Sequence, residues 1–302
     1  MATSAPVHFM GFWPDYEVAF FTASAQARRD VAVFNPAQLS QHFYGFARFP
    51  RFIRNAIQRA AITRYVQQHP DGFFVVHEHR LILEALARLP RLPRLAILMR
   101  NPVDPKGKAL PIIQRLAAAG CQVWSFDPHD VGRYGWHFYR QFIAALPAVA
   151  EVAPVYDFAF IGRNKGREAL LQALQARLTG LGFRVLFDVR SDSMKGARAN
   201  VPYVDYLRQC LAAKCIVDIT QRGQSGLTLR PLEAMAYQRK LLTNNPLVAE
   251  EAFYHPDNVF VMDDALELNG IHAFMDRPVA VVGAEVQELY SVQGLLQLLR
   301  AG

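Results

Sequence analysis

The chain has 302 residues, of which 52% are hydrophobic and 20% charged, with 18 Gly and 18 Pro. That composition excludes a disordered, collagenous or low-complexity polymer, and the length suits about two domains at roughly 100–200 residues each. No apolar run approaches the ~18–20 residues of a membrane span, and the opening residues carry no basic leader followed by an apolar segment. Three scattered cysteines, Cys121, Cys210 and Cys215, fit neither a disulfide framework nor a zinc site, so a reduced cytoplasmic protein is expected. The net charge of +7 is unevenly placed. Residues 1–150 hold 17 Lys/Arg against 9 Asp/Glu, and residues 151–302 hold 16 against 17. A one-sided basic surface attracts nucleic acid, anionic lipid or an anionic substrate, unless it reflects an Arg-rich genome.

In chain order, Val7–Trp13 and Val31–Asn35 read as strands. Helical spacing over Phe52–Gln68 ends at the turn cluster His69-Pro70-Asp71-Gly72. Phe73–His77 is a buried strand, His79–Leu89 a helix, Leu95–Arg100 a strand, Ile112–Ala119 a helix and Cys121–Phe126 a strand. Trp136–Ala150 reads as helical. The pattern restarts after Pro154 with the strand Asp157–Gly162, a basic turn, the helix Glu168–Gly180 and the strand Phe183–Val189. Helix Tyr203–Ala213, strand Cys215–Ile219, a helix from Leu232, and strands Lys240–Thr243 and Val259–Met262 follow. A single amphipathic helix is expected over Glu285–Leu299. Such alternation with short connections implies α/β architecture, two Rossmann-like domains with parallel sheets. The expected division is 1–153, 154–282 and a closing helix, 283–302, returning toward the first domain.

Two segments carry chemistry. Gly162, Arg163, Asn164, Lys165, Gly166 and Arg167 form a Gly-bounded basic turn at a helix N-terminus, where free N–H groups and the helix dipole favour an anion. The turn matches neither a Walker A loop nor G-x-G-x-x-G, and a solvated basic turn would look the same. The second segment, QRGQSGLTLRPLEAMAYQRKLLTNN (221–245), places Gln224, Ser225, Thr228, Arg230 and Glu233 after a buried strand. Carboxyl ends of strands are where ligands bind in doubly wound sheets. Arg can clamp a phosphate and Glu can accept both hydroxyls of a ribose, although Arg230 and Glu233, a turn apart, could merely pair along the helix.

The stretches GFWPDYE (11–17), LMRNP (98–102), VWSFDPHDVGRYG (123–135), DFAFIGRNKGR (157–167), IVDITQRGQSGLTLRPLEAMAYQRKLLTNN (216–245) and FYHPDNVFVM (253–262) together resemble the GT-B glycosyltransferases of bacterial lipopolysaccharide and capsule biosynthesis. The resemblance implies an interdomain cleft, a nucleotide-sugar donor bound by the second domain and a glycan or lipid-linked acceptor by the first. It implies that Glu233 holds the donor ribose and that Arg163, Lys165 and Arg167 line the diphosphate. Ser225 stands where the retaining group of that fold has a second Glu. No Asp-x-Asp occurs, so no metal cofactor is expected and the cations would neutralise the leaving diphosphate themselves.

Inverting transfer needs a general base near the acceptor hydroxyl. Asp15 is the first candidate and Glu78 the second, with His77, Asp127, His129 and Asp130 also at strand ends. Each could equally cap a turn or helix. HFYGFARFPRFIR (42–54) interleaves aromatics with arginines, as an interfacial segment that sits on anionic lipid or accepts a lipid-linked or anionic glycan would. That would make the protein peripheral at the inner face of the cytoplasmic membrane. A nucleic-acid stacking surface or a core-packed helix uses the same ingredients. The alternative to a transferase is a non-catalytic nucleotide- or nucleic-acid-binding protein; under the transferase reading no nucleic-acid partner is expected.

Overall fold

The computed structural model describes residues 5–36, 48–144, 149, 152–193, 201–221, 224–263 and 266–301. Two compact units divide the chain, one of residues 1–139 with 299–302 and one of residues 140–298. Unit 1 holds the strands β1 (Val7–Met10), β2 (Val31–Phe34), β3 (Phe73–His77), β4 (Arg94–Leu98), β5 (Gln122–Ser125) and β6 (His137–Phe138). They form one sheet in the order β2-β1-β3-β4-β5-β6, and every pair is parallel. Unit 2 holds β7 (Tyr156–Arg163), β8 (Val185–Arg190), β9 (Ala213–Asp218), β10 (Lys240–Thr243) and β11 (Val259–Val261), in the order β11-β10-β9-β7-β8, again all parallel.

The reason lies in the strand sequences. β3 is FFVVH with every residue buried, so both faces must be covered, and crossover helices do that in a parallel sheet. Phe74 and Val76 pack with Ile97, Val123, Ile62 and Leu116 on one face. On β1, Phe9 stacks on Phe21 at 4.0 Å between ring centroids, beneath the helix Asp15–Ala27. Gly11, at φ 82°, makes the turn between them, and a Cβ there would run into Ile82 Cδ1. Only glycine combines that backbone with that approach. In unit 2, Phe158, Phe160, Val217 and Leu242 meet Leu171, Leu174 and Leu178 of the helix Glu168–Gly180.

Two expectations are corrected and one helix is added. Residues 137–144 are not helical: β6 pairs with β5 (Trp124 opposite His137), the Tyr139 N–H donates to the Ser125 carbonyl at 3.0 Å, and the Ile143 N–H to the Tyr290 carbonyl at 2.7 Å. These sheet and bridge partners satisfy the backbone in place of helical ones. The closing amphipathic segment is two helices, Ala284–Leu289 and Val292–Ala301. The break falls where Tyr290, fully buried, donates its hydroxyl to Glu251 at 2.6 Å and Ser291 Oγ accepts from the Gly294 N–H at 3.1 Å. The helix Asp15–Ala27 follows Pro14 with Asp15 and Glu17 in its first turn; the sequence reading placed no element there. Within unit 1, Arg300 Nη2 meets Asp30 Oδ2 at 2.6 Å, and Arg28 shares the same carboxylate at 2.9 Å.

Among the described residues no helix is long and apolar enough to cross a membrane. The first part of the aromatic–arginine stretch, residues 42–47, lies outside the described residues. Its remainder begins the helix Arg51–Gln68, with Phe49 45% and Phe52 70% exposed beside exposed Arg48 and Arg51.

Candidate functional site

The carboxyl edge of the unit 2 sheet gathers most of the residues singled out for the donor. β7 ends in Gly162 and Arg163, and the chain turns through Lys165 (φ 47°) and Gly166 (φ 75°) into the helix Glu168–Gly180. Arg167 closes this turn on itself. Its Nε donates to the Asn164 carbonyl at 3.1 Å, its Nη2 to the Arg163 carbonyl at 2.7 Å, and its Nη1 to the Ile219 carbonyl just past β9. Arg230 opens the helix Arg230–Ala236 and reaches back: Nη2 donates to the Ile161 carbonyl at 2.8 Å, and Nη1 lies 3.5 Å from Asp218 Oδ1. Both guanidiniums lie over the Phe160 ring, at 5.4 and 4.7 Å. Gly162 is glycine for a visible reason, since a Cβ would sit 2.6 Å from Arg230 Nη2.

Asp218, wholly buried at the end of β9, organises the following loop. It accepts from Thr228 Oγ1 at 2.8 Å and Thr243 Oγ1 at 3.4 Å, and Thr228 Oγ1 accepts from the Arg230 N–H at 3.2 Å. Gln224 Nε2 donates to the Gly226 carbonyl at 3.0 Å, and the Ser225 carbonyl accepts from Asn245 Nδ2 at 3.2 Å. Thus Gly162, Arg167, Thr228 and Arg230 converge with Asp218 on one strand edge. Glu233 lies in the interior. Its carboxylate is 1% exposed, with Tyr203 donating to Oε1 at 2.9 Å and Tyr206 to Oε2 at 2.6 Å. Burial pushes its carboxyl pKa up, while the two phenols and Arg230 oppose the shift.

The cations crowd one another. Burial and then Arg230 push Arg167 down to about 10. Lys165 is lowered by burial and by Arg167, Arg230 and Arg163, with Asp192 opposing. Each of these two thus sits among like charges that a bound anion would relieve. Burial opposes the charge on Arg230, but Tyr206 and Asp218 outweigh it and hold the group above its ordinary value. Among the described residues no three carboxylate, imidazole or thiol side chains gather as metal ligands.

In unit 1 the first-choice base, Asp15, is exposed at the start of its helix, where it accepts from the Tyr16 N–H at 3.1 Å. Glu78 follows β3 and accepts from the Arg100 N–H at 3.0 Å and Asn101 Nδ2 at 2.8 Å. His77 is buried, with its Nδ1 3.3 Å from Glu78 Oε2. Asp127 caps the helix Pro128–Tyr134, accepting from the His129 N–H at 2.9 Å, and Asp130 accepts from the Val103 N–H at 2.9 Å. Sequence reasoning passed over Glu17, Arg100, Asp218, Tyr203 and Tyr206. A polar residue ending an apolar run, as in CIVD (215–218) and AILMR (96–100), was the available signal.

No family model matches the chain, and no curated protein matches it. Among solved structures, the UDP-GlcNAc 2-epimerase of Methanocaldococcus jannaschii is similar at 9% identity and TM-score 0.51, covering 99% of this chain and 100% of that one. The fold is GT-B-like. The same enzyme in complex with UDP-GlcNAc and UDP gives TM-score 0.50 at 9% identity, with 99% of this chain and 100% of that chain covered. The calicheamicin glycosyltransferase CalG4 gives 0.35 at 13% identity, covering 95% of this chain and 92% of that one. At these identities the likeness of this GT-B-like chain is one of fold.

Proposed function

We propose that the protein is a glycosyltransferase that moves a sugar from a nucleotide-sugar donor to a glycan or lipid-linked acceptor, in the synthesis of a cell-surface polysaccharide such as lipopolysaccharide or capsule. The observation that carries the reading is the crowding of Arg163, Lys165, Arg167 and Arg230 at the carboxyl edge of the unit 2 sheet. In a doubly wound sheet that edge is the ligand-binding edge, and a diphosphate is the anion that matches several cations there.

In this proposal Arg167 and Arg230 fix the loop through backbone carbonyls and direct their remaining N–H groups to phosphate, while Lys165, in the same turn, supplies a further charge. These cations would neutralise the leaving diphosphate without a metal. Gln224, Ser225 and Thr228 would rim the nucleoside. Glu233 would take the ribose if the half-buried Tyr206 turned away from Oε2. Glu78 or Asp15 would serve the acceptor, and the exposed Arg48, Phe49, Arg51 and Phe52 would rest on anionic lipid.

The test is a thermal-shift and calorimetric panel of UDP, dTDP, GDP and CMP beside a short oligonucleotide. Stabilisation by one nucleotide, without salt-dependent oligonucleotide binding, is expected. Oligonucleotide binding alone would favour the non-catalytic alternative. The 2-epimerase likeness over nearly the whole chain favours one second reading, epimerisation of a UDP-sugar. Incubation with UDP-GlcNAc and no acceptor separates the two, because an epimerase yields a new UDP-sugar and a transferase does not.

A further inference from the structure

Just past β4, Arg100 meets two further buried groups, Glu17 and Tyr139, that the donor site does not use. Arg100 Nε donates to Glu17 Oε1 at 2.5 Å and Nη1 to the Tyr139 oxygen at 2.9 Å, while Tyr139 donates to the Met99 carbonyl at 2.6 Å. The Arg100 side chain is 4% exposed, and Glu17 and Tyr139 are fully enclosed. Removing such a pair from water is costly before any attraction is counted, and apolar residues of equal volume are often as stable. Stability alone is therefore a poor reason for the arrangement.

Geometry supplies a better one. The guanidinium ties Arg100, two residues past β4, to the first helix through Glu17 and to Tyr139. The backbone N–H of that same Arg100 then donates to Glu78 Oε2 at 3.0 Å, and the next residue, Asn101, donates to Oε1 at 2.8 Å. Glu78 is thereby fixed at both oxygens, yet its side chain remains 12% exposed. We infer that Glu17, Arg100 and Tyr139 form a positioning device that holds Glu78 as a proton-accepting carboxylate for a hydroxyl-bearing ligand of unit 1. The nature of that ligand rests on the transferase reading; the positioning does not. The titratable and charged groups around Glu78 are His77, His79 and Arg100, with Glu17 and Tyr139 behind Arg100. Burial raises the Glu78 carboxyl pKa, and its donors and Arg100 restrain the rise.

The test is a carboxyl-carbon NMR titration of full-length protein with labelled glutamate, Glu78→Gln identifying the resonance. In the parent protein Glu78 should titrate above the ordinary ~4.3. Tyr139→Phe, a small change that leaves the ion pair, should move the midpoint upward by roughly half a unit to one unit as fixed donors drift from the carboxylate. The doubly neutral Glu17→Gln/Arg100→Met should move it further, and Arg100→Lys, which keeps the partner of Glu17, should fall between. A parent midpoint at or below the ordinary value overturns the proton-accepting role. Unchanged midpoints in folded variants overturn the positioning, and Tyr139→Phe alone decides if the double variant fails to fold. UDP binding is followed in parallel. Its absence from the parent protein overturns the nucleotide-sugar reading and leaves the titration to decide the positioning on its own.

Discussion

Replacing His77 by Gln should remove a pH-dependent loss of stability from unit 1. The imidazole is buried at the end of β3, edge-on to Phe12 with 5.6 Å between ring centroids, and its Nδ1 lies 3.3 Å from Glu78 Oε2. Burial lowers its pKa from 6.5 to about 4, with Glu17 opposing and Arg100 reinforcing the shift. A base whose folded pKa is depressed stays neutral in the native state while the unfolded chain takes up the proton. Stability is therefore complete above about 6.5 and is lost as pH falls toward about 4. Between pH 7 and pH 5 the difference amounts to about 2 kcal/mol at 1.36 kcal/mol per unit. All three tryptophans, Trp13, Trp124 and Trp136, belong to unit 1, so their fluorescence follows its unfolding without interference from unit 2. Urea titrations of the parent and His77→Gln at pH 7, 6 and 5 give the comparison. The stability gap between the two proteins should shift by about 2 kcal/mol in favour of the variant as pH falls. A gap that stays constant with pH refutes the depressed imidazole and the buried environment argued for it.

The other predictions concern the proposed sites. Gly162→Ala should weaken UDP binding with little loss of secondary structure, because the new Cβ displaces the Arg230 guanidinium; calorimetry and circular dichroism read the two effects. Arg230→Ala should weaken UDP roughly 10- to 100-fold, the value of a charge-assisted hydrogen bond of about 1.5–3 kcal/mol, and uridine far less. Equal losses for both ligands would place the phosphates elsewhere. Glu233→Gln should weaken uridine and UDP by similar factors if the ribose reaches it, and unchanged affinities would leave Glu233 as a partner of Tyr203 and Tyr206 alone. Phe52→Ser/Arg51→Ser should reduce co-sedimentation with anionic vesicles and leave the neutral-vesicle control unchanged; no binding by the parent protein would dismiss the lipid role.

The sheets were legible because their strands are apolar runs bounded by turn residues. FFVVH, RLAIL and CIVDI carry no second interpretation at that length. Legibility failed where long-range partners decide. Residues 137–144 have a helical spacing of apolar side chains, yet the backbone finds its hydrogen bonds at Ser125 and Tyr290, which no local pattern announces. The split of the closing helix likewise depends on a hydroxyl of Tyr290 meeting Glu251. For the candidate site, the basic turn was visible because cations and glycines are contiguous there. The commitment of Arg167 and Arg230 to carbonyls of other segments was not, and neither was the enclosure of Glu233 by Tyr203 and Tyr206, 30 and 27 residues away.

The ion pair between Asp30 and Arg300 bears on how unit 1 is made in the cell. Its two halves are separated by 270 positions. At about 5–20 residues per second, a ribosome needs tens of seconds to deliver the second half after the first. Throughout that interval Asp30 has only Arg28 as its cationic neighbour from this pair of contacts, and all of unit 2 is synthesised in between. Residues 1–139 of unit 1 therefore emerge before unit 2, and residues 299–302 of the same unit after it. A fragment ending at Tyr139 reproduces the nascent form of that unit, and comparing its stability with that of the same unit in the whole chain measures what the late-arriving arginine and its helix contribute.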